Sequence, residues 1–552
     1  MNGALTELAP ALESVPVQVP VLELRNLSVS YADGHRTLRR VVHDVSLSVA
    51  PGEVLALVGE SGSGKSTTAQ AVIGLLAGNG RIDGGAIMLN GTDISGWSQK
   101  RLEAIRGQKI SLIPQDPTSS LNPVLTVGAH VDEVLRLHTK LPKDQRRQRV
   151  LELLERVGIP DPSRRAKQFA HELSGGMKQR VLIAAAIALQ PQLIIADEAT
   201  SALDVTVQQR ILDLVDDLRT EFGTAVLFVT HDLGVAADRA DRIVVLKGGQ
   251  VQEHGTTADV LRTPSSPYTR QLLADAPSIL TGNAREFRAG GADNAVEVRN
   301  LVQDFPTGRN LPDFRAVDDV SFNVPRGTTH AIVGESGSGK TTTARALAGF
   351  HRPTEGTIVI AGQDVTGLDA KGLRRFRQQV QLVYQNPFTS LDPRQTIARI
   401  IEEPLLNFGT IPKPRRKEVV KELLERVRLP EALLHKHPHE LSGGQRQRVA
   451  IARALVLKPQ VLILDEAVSA LDVTVQSQIL ALLEDLQQEL ELSYVFITHD
   501  LAVVRQIADT VSVMSGGRQV EIGTVSEVFA NPQHPYTQAL INAIPGNRKA
   551  QP

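Results

Sequence analysis

The chain of 552 residues contains no cysteine, which excludes disulfides and thiolate ligands for zinc or for an iron–sulfur cluster. This absence suits the cytosol. A surplus of positive charge is also missing, because 60 basic side chains stand against 61 acidic ones. Proteins that hold nucleic acid through its phosphates usually carry such a surplus. The composition therefore predicts no nucleic-acid partner.

Long apolar segments are absent as well. The longest wholly apolar stretch runs from Val181 to Leu189, far short of a membrane span. The first 20 residues have no basic start and carry Glu7, Glu13 and three prolines, which indicates a disordered leader and not a signal peptide. If this protein works at a membrane, we expect it to dock on partners that cross the membrane.

The chain does contain an internal sequence repeat. Four segments recur in the same order: GESGSGKS at 59–66 and GESGSGKT at 334–341, HELSGG at 171–176 and 439–444, SALDVTVQ at 201–208 and 469–476, and PYT at 267–269 and 535–537. The repeat predicts two domains, at 21–277 and 295–545, joined by a flexible linker at 278–294 that is rich in Gly, Asn and Ala. A leader at 1–20 and a tail at 546–552 complete the chain.

The first repeated segment fits the pattern G-x-x-x-x-G-K-[ST] between a strand-like run and a helical run. Glycines allow the backbone to wrap closely around phosphates, and the following helix N-terminus favours an anion. Lys65 and Lys340 are expected to pair with the β- and γ-phosphates, and Ser66 and Thr341 to bind Mg²⁺. A chance glycine-rich turn is the alternative, but two matches in matching contexts disfavour it.

Two apolar runs, LIIADE at 193–198 and LILDE at 462–466, end in paired acids. A buried strand that ends in carboxylates suits a site for magnesium and water. Asp197 and Asp465 are expected to bind Mg²⁺. The alternative is a strand that simply ends in a polar turn.

Three further residue types complete the predicted catalytic set. Glu198 and Glu466 are expected to polarise the attacking water. His231 and His499 follow strand-like runs and could orient the attack on a γ-phosphate, although a lone histidine is more often structural. The LSGG segments at 173–176 and 441–444 precede helical sequence and could form a second anion site, or could simply cap their helices.

These motifs, in this order, resemble the ABC ATPase superfamily over nearly the whole chain. The resemblance implies an α/β fold: two tandem ABC-type P-loop nucleotide-binding domains, each with a RecA-like core and a helical subdomain. It also implies head-to-tail closure, with ATP between Lys65 and Ser442 at one site and between Lys340 and Ser174 at the other. Gln115 and Gln385 would contact Mg²⁺ and the γ-phosphate, and Tyr31 and Phe305 lie where the family places an aromatic residue on adenine.

By the same resemblance, ATP and Mg²⁺ are the expected cofactors. The nucleotide would contact the following residues of the two phosphate loops and the two signatures: Gly59, Gly62, Gly64, Thr67, Gly334, Gly337, Gly339 and Thr342, and Gly175, Gly176, Gly443 and Gly444. Both halves keep the full set of Lys, Gln, Ser, Asp, Glu and His, so we expect two similar sites. The first signature is followed by Met177 where the second has Gln445, so the two sites need not hydrolyse ATP at equal rates.

Further segments resemble one subfamily, the ATPases of dipeptide, oligopeptide and nickel importers. These are PQDPTSSLNP at 114–123, YQNPFTSLDP at 384–393 and the two PYT segments. Fused examples of this subfamily have a D-type half followed by an F-type half, and many D-type members carry a cysteine-rich tail that binds an iron–sulfur cluster. This chain has no cysteine and cannot bind a cluster in that way. The resemblance implies a peripheral protein on the cytoplasmic face of the plasma (inner) membrane. Its partners would be two integral-membrane permease subunits and an extracytoplasmic solute-binding protein.

Other functions stay open at this point. Soluble twin-ABC ATPases act on ribosomes, but they typically have a long charged helical linker, which this chain lacks. Chromosome or repair ATPases usually carry zinc-finger cysteines or long coiled coils. Exporters commonly fuse the ATPase to its membrane domain. The importer motor is therefore the favoured prediction, and the transported solute is not predicted.

Overall fold

Each half of the chain combines an antiparallel sheet, a mainly parallel sheet and a group of helices. A computed structural model describes residues 19–32, 37–200, 204–276, 293–308, 312–385, 390–409, 411–469 and 471–546. The predicted leader, linker and tail lie almost wholly outside these residues. Within them, no helix is both long and apolar enough to cross a membrane.

The described residues of the first half form ten strands and eleven α-helices. The strands are β1 Leu22–Ala32, β2 Leu38–Val49, β3 Val54–Val58, β4 Gly80–Leu89, β5 Thr92–Asp93, β6 Ile110–Ile113, β7 Leu193–Asp197, β8 Ala225–Val229, β9 Arg242–Lys247 and β10 Gln250–Thr256. The helices are α1 Lys65–Ile73, α2 Gln99–Glu103, α3 Pro117–Ser120, α4 Val127–His138, α5 Lys143–Arg156, α6 Pro162–Arg165, α7 Gly175–Ile187, α8 Val205–Phe222, α9 Leu233–Arg239, α10 Thr257–Arg262 and α11 Pro267–Asp275.

The described residues of the second half repeat this order. The strands are β11 Asn294–Phe305, β12 Phe314–Pro325, β13 Thr329–Gly334, β14 Glu355–Ile360, β15 Gln363–Asp364, β16 Val380–Val383, β17 Val461–Asp465, β18 Ser493–Ile497, β19 Thr510–Ser515 and β20 Arg518–Thr524. The helices are α12 Lys340–Leu347, α13 Ala370–Gln379, α14 Ile397–Phe408, α15 Lys413–Arg426, α16 Gly443–Leu455, α17 Val473–Leu490, α18 Leu501–Ile507, α19 Val525–Ala530 and α20 Pro535–Asn542.

The central sheet of the first half has the strand order β10-β9-β3-β8-β7-β6. Strands β9, β3, β8, β7 and β6 run parallel to one another, and β10 is an antiparallel edge strand. A separate antiparallel sheet has the order β2-β1-β4-β5. In the second half, the corresponding two sheets are joined by one pairing, between Asp318 and Arg518.

Burial on both faces explains why the central strands consist almost entirely of apolar residues. Along β3, Val54, Ala56 and Val58 enter one hydrophobic core, while Leu55 and Leu57 enter the core on the other face. The first core continues into α4, α5 and α7, which form the predicted helical subdomain. The predicted α/β fold with a helical subdomain in each half is confirmed.

Candidate functional site

Four neighbouring parallel strands end at the same edge of each central sheet, and each end is followed by a predicted site residue. In the first half, the strand order β3-β8-β7-β6 places the phosphate loop (59–66) beside the segments that follow Val229, Asp197 and Ile113. These segments hold His231, Glu198 and Gln115. The carboxyl edge of an open parallel sheet is where such folds bind their ligands. The second half repeats the arrangement around the phosphate loop 334–341.

The first glycine of each phosphate loop is required by the fold. Gly59 and Gly334 have φ angles of 150° and 147°. A Cβ atom on Gly59 would lie 2.2 Å from the carbonyl oxygen of Leu246, and one on Gly334 would lie 2.1 Å from that of Met514. Only glycine allows the loop to pass this close to the neighbouring strand end.

The middle of each loop faces open space instead. A Cβ atom on Gly62 or Gly337 would meet no atom within 4 Å, although both residues have positive φ angles. Gly64 and Gly339 then take left-handed conformations as the N-caps of α1 and α12. The half-buried residues Thr67 and Thr342 follow in these helices. The open space in front of a helix start fits a phosphate chain.

Each loop lysine lies inside its own loop. The Nζ of Lys65 donates to the carbonyl oxygens of Gly59 and Glu60, at 2.8 and 2.9 Å. The Nζ of Lys340 makes the same two bonds in the second half, to Gly334 and Glu335 at 2.8 and 2.7 Å. Both side chains are buried, and burial lowers the pKa of Lys65 and of Lys340.

The predicted magnesium ligands are paired with each other. Ser66 Oγ donates to Asp197 Oδ1 at 2.9 Å, and Thr341 Oγ1 donates to Asp465 Oδ1 at 3.3 Å. Burial raises the pKa of Asp197 and of Asp465 above the ordinary aspartate value. A hydroxyl beside a carboxylate at a phosphate loop is an all-oxygen donor set of the kind Mg²⁺ prefers. The residues present therefore fit both ATP and Mg²⁺.

The two predicted catalytic glutamates have backbone conformations that are rare for any residue other than glycine. The φ angles of Glu198 and Glu466 are 47° and 48°. Their backbone N–H groups donate to Val229 O and Ile497 O, at 2.9 Å each. These bonds to the next strand hold the glutamates in the left-handed region, where a non-glycine residue stores about 1–3 kcal/mol of strain.

Each glutamate side chain is held by the predicted glutamine and contacts the predicted histidine. Gln115 Nε2 donates to Glu198 Oε2 at 2.6 Å, while His231 Nδ1 lies 3.4 Å from Glu198 Oε1. In the second half, Gln385 Nε2 donates to Glu466 Oε2 at 2.7 Å, and His499 Nδ1 lies 3.5 Å from the same oxygen. The structure thus brings the three predicted residues together in both halves.

The glutamate and the histidine shift each other's pKa. Burial would raise the pKa of Glu198, but the hydrogen bond and charge of His231, with help from Lys65, outweigh it and lower the pKa. Burial would lower the pKa of His231, but the hydrogen bond and charge of Glu198 outweigh it and raise the pKa. Glu466 and His499 show the same pair of directions. Each site is therefore set up to hold an ionised glutamate.

The signature segments are found at helix starts, as predicted. Ser174 caps α7 by accepting from Met177 N at 3.4 Å, and Ser442 caps α16 by accepting from Gln445 N at 3.3 Å. Each of these two bonds lies within the serine's own helix start. Gly175 and Gly176 follow Ser174, and Gly443 and Gly444 follow Ser442. The pairing of each signature with the opposite phosphate loop stays a prediction.

The two adenine-stacking candidates lie at the ends of their strands. Tyr31 is half-buried near the end of β1, where a Cβ atom on Gly80 would lie 2.7 Å from its ring. Phe305 ends β11 and makes an edge contact with His351, with ring centres 5.4 Å apart. Both aromatic rings have ordinary packing partners, and their contact with adenine stays a prediction.

The aspartate that ends each SALD segment, together with Thr206 after the first one, connects the two halves, and the sequence motifs alone did not indicate these contacts. Asp204 caps α8, and its charge contributes to the pKa of Lys340 in the other half. Asp472 caps α17 and acts in the same way on Lys65. Thr206 Oγ1 also lies 2.9 Å from Glu335 Oε1 in the second phosphate loop. Each phosphate loop therefore has a residue of the opposite half as a neighbour.

A cavity of about 100 Å³ lies between the halves, and residues of both sites line it. Glu198 and His231 face it from the first half, and His499 faces it from the second. The fold and this geometry define a class of protein: an ATP-hydrolysing enzyme with two phosphate-loop sites that face each other within one chain.

Comparison with known proteins agrees with this class. A family model described as ABC transporter matches residues 42–201 and 317–469. A second model, described as oligopeptide/dipeptide transporter, C-terminal region, matches residues 252–298 and 520–552. The chain therefore belongs to the ABC transporter family, in its oligopeptide/dipeptide branch, and it is an ABC-type ATPase.

Two relatives resemble the chain over nearly its whole length. The peptidoglycan transport ATP-binding protein YejF of Agrobacterium fabrum is 44% identical over 529 residues, covering 95% of this chain and 96% of the relative. The glutathione import ATP-binding protein GsiA of Shigella flexneri is 41% identical over 558 residues, covering 95% of this chain and 89% of the relative. The solved dimeric ATP-binding cassette MJ0796, bound to ADP and Pi, is 30% identical over 42% of this chain and 98% of its own, with a TM-score of 0.39.

Proposed function

We propose that the chain is the ATP-hydrolysing motor subunit of an importer for dipeptides or oligopeptides, acting on two separate permease subunits. The observation that carries this proposal is that each half matches the ABC transporter model and, after it, the model of the oligopeptide/dipeptide transporter C-terminal region. The names of the two relatives, peptidoglycan transport and glutathione import, point to solutes that contain peptides. A ribosome-bound twin ATPase is not favoured, because its function would not require these C-terminal regions.

At each site, phosphate binding would use the backbone N–H groups of the phosphate loop and the lysine within it. Ser66, Asp197 and Gln115 would hold Mg²⁺ at the first site, and Thr341, Asp465 and Gln385 at the second. The bound ion would neutralise charge on the phosphates. The loop carbonyl oxygens that now accept from Lys65 or Lys340 keep its ammonium group close to the open space.

In the hydrolytic step, Glu198 and Glu466 would accept the hydrogen bond of the attacking water, because their neighbours keep them ionised. His231 and His499 would orient the glutamate and the reacting phosphate. Gln115 and Gln385 contact the same carboxylates and stand at the end of the strand that leads into the next segment. A movement of that segment would therefore alter the catalytic glutamate directly.

A groove beside Gln385 supports the proposed permease contact. Its volume is about 720 Å³, and it lies between the central sheet and the helical subdomain of the second half. Phe350, Tyr384 and Phe408 contribute aromatic surface to it, and Phe350 is 48% exposed. An open groove that combines aromatic surface with polar side chains such as Arg377 and Glu403 suits a short amphipathic helix from a partner. We expect each half to receive one such helix, from one permease subunit each.

Cysteine cross-linking tests this docking, because the natural chain has no competing thiol. Single cysteines would replace Thr118, which is exposed on α3, and Phe350. Both should cross-link to permease subunits in the assembled complex, while a cysteine at the exposed residue His254 on β10 should not. Cross-links only from other surfaces would contradict the docking. The counterpart of Thr118 in the second half is Phe388, in the loop after Gln385, and it lies outside the described residues.

Transport itself is tested in cells that lack this chain. Uptake of a radiolabelled dipeptide and of glutathione should fall on deletion and return with the wild-type chain. It should not return with a chain carrying both Glu198→Gln and Glu466→Gln. Unchanged uptake of every peptide tested, together with intact ATP hydrolysis by the purified chain, would contradict the substrate class but not the ATPase activity.

A further inference from the structure

A tyrosine in the last helix of each half contacts the phosphate loop of that half. Tyr268, in α11, accepts a hydrogen bond at its hydroxyl from Glu60 N at 3.2 Å. Tyr536, in α20, accepts the same bond from Glu335 N at 2.9 Å. The partners are 208 and 201 residues apart along the chain. The same contact therefore forms in both halves across a long sequence separation.

Both tyrosines belong to the PYT segments, whose role the ATP-site motifs leave unexplained. Their rings are half-buried, and burial raises the pKa of both hydroxyls well above the usual range for tyrosine. The phenols therefore stay neutral at any physiological pH. In the first half, Lys247 Nζ also lies 4.3 Å from the centre of the Tyr268 ring, which adds a cation–π contact.

The same helices touch the opposite half. Helix α11 packs against α17 of the second half, and α20 packs against α8 of the first. Just beyond α20, Gly546 N donates to Asp238 Oδ2 of the first half at 2.7 Å. The C-terminal helix of each half thus lies between its own phosphate loop and a helix of the other half.

At the second site, the connection is made through one residue. Glu335 N donates to Tyr536, while Glu335 Oε1 lies 2.9 Å from the hydroxyl of Thr206 in the first half. This hydroxyl shares its one proton between Glu335 and Asp204 Oδ1, which also lies 2.9 Å away. Thr206 is in the first turn of α8, against which α20 also packs. The tyrosine, the loop glutamate and the opposite threonine therefore form a continuous chain of contacts.

We infer that Tyr268 and Tyr536 are positioning residues that fix the phosphate loop of their own half relative to the opposite half. A movement of α8 or α17 that accompanies opening of the two halves would displace the C-terminal helix and, through the tyrosine, the loop. This gives the oligopeptide/dipeptide C-terminal region a role in ATP binding. The alternative is that the two hydroxyls only complete the local packing.

The first test replaces both hydroxyls with hydrogen in the full chain, by Tyr268→Phe with Tyr536→Phe. The apparent KM for ATP should rise about three- to tenfold, the effect of losing one such bond at each site. The kcat should change less than twofold, because the bond acts on binding of ground state and transition state alike. Since the test measures ATP turnover by the chain alone, its outcome does not depend on the proposed transport function.

Tyr494→Phe is the matched control. Tyr494 is fully buried in the second half and donates to Leu483 O at 2.8 Å, away from the phosphate loop. Its loss should lower the melting temperature without raising the KM. If the KM rises equally in this control, or fails to rise in the double variant, the two tyrosines have only a structural role and the inference is overturned.

A double-mutant cycle tests the connection between the halves. Tyr536→Phe and Thr206→Val would be combined in a Lys65→Ala background, so that binding of the fluorescent analogue mant-ATP reports on the second site. The two changes should be non-additive by about threefold or more in Kd, because both act on Glu335. Thr220→Val removes a hydroxyl bond within the same helix and should combine additively with Tyr536→Phe. Additive effects for Thr206→Val would overturn the connection.

Discussion

At the scale of the residue, the decisive feature is the ionised glutamate beside a histidine. Burial alone would favour the neutral acid, and a neutral acid cannot accept a proton from water. The neighbouring histidine and lysine reverse this preference at both sites. A strained backbone and a glutamine then fix the direction in which the carboxylate points.

Replacing these glutamates tests their role. Glu198→Gln or Glu466→Gln should each reduce ATP turnover, and the two together should reduce it about 10²- to 10⁴-fold, the usual effect of losing a general base. ATP binding should survive, because the carboxylate acts on water and not on nucleotide. The control is Glu53→Gln, which removes a half-buried carboxylate in an ion pair with Arg242 and should leave turnover near normal. Near-normal hydrolysis in the double variant would remove both residues from the catalytic role.

The histidines make a prediction about pH. Because His231 and His499 hold the pKa of the glutamates low, His231→Gln with His499→Gln should let the glutamate pKa rise. The acid limb of the profile of kcat against pH should then move to higher pH. His254→Gln, at an exposed position, should not move it. An unmoved limb in the double histidine variant would show that another group keeps the glutamates ionised.

The same histidines should affect stability, with a defined sign. Their pKa is raised in the folded chain, so protonation stabilises the fold at pH values below the unfolded histidine value. This contribution is lost as the pH rises through the raised folded value. The stability difference between the wild-type chain and the double histidine variant should therefore shrink from pH 6 toward high pH, as measured by denaturant unfolding.

The chemistry at this scale could be predicted from the sequence, because each motif carries its own residue types at fixed spacing. The left-handed backbone of Glu198 could not be predicted. It depends on a hydrogen bond to Val229, which ends the next strand and is separated from Glu198 by helix α8. The contact of His231 with Glu198 could not be predicted either, because a histidine after a strand has many possible neighbours.

At the scale of the element, much of the site is formed at helix N-termini. Helices α1 and α12 begin at the phosphate loops, α7 and α16 at the signatures, and α8 and α17 just after the SALD segments. Each of these starts leaves backbone N–H groups without a partner inside the helix. At α7, α8, α16 and α17 a side chain caps the start, whereas the glycine caps of α1 and α12 make no side-chain bond. At α1 and α12, no side chain thus competes with a phosphate for the first N–H groups.

The predicted head-to-tail pairing of each signature with the opposite phosphate loop implies non-additivity between distant residues. Lys65→Ala and Ser442→Arg should damage the same ATP site, so the combined variant should be little worse than the more severe single one. Lys65→Ala with Ser174→Arg strikes both sites and serves as the control, with losses that multiply. ATP turnover of the purified chain is the measurement. Multiplicative losses for Lys65 with Ser442 would contradict head-to-tail pairing within one chain.

The strands and helices followed from apolar periodicity and from their end signals. Both central sheets, for instance, consist of runs such as VLALV and VLILD that are buried on both faces. The contacts of the C-terminal helices could not be predicted in this way. Tyr268 lies in an ordinary amphipathic helix, and its partner Glu60 lies 208 residues away, so no local pattern connects them.

At the scale of the whole molecule, the duplication places both members of the ATPase pair in one chain. Cross-half contacts at Thr206 and Gly546 hold the halves side by side, and the lining of the shared cavity comes from both sites.

The halves nevertheless differ in detail. His330 in β13 is fully buried with its pKa lowered to about 3, and it stacks on Phe322. The repeated position in β3 is an apolar leucine, Leu55.

A single chain with two complete sites predicts the stoichiometry of the transporter. One copy should bind one pair of permease subunits, because each half is expected to receive one permease helix and the two halves already contact each other within one chain. Native mass spectrometry of the purified complex should give one chain for two permease subunits, without and with ATP. The Glu198→Gln and Glu466→Gln variant, which should retain ATP, is the control for a complex held in its nucleotide-bound form and should give the same ratio. Two copies of the chain per permease pair would mean that the ATP sites form between chains, and the contacts between the halves described above would then not be the functional ones.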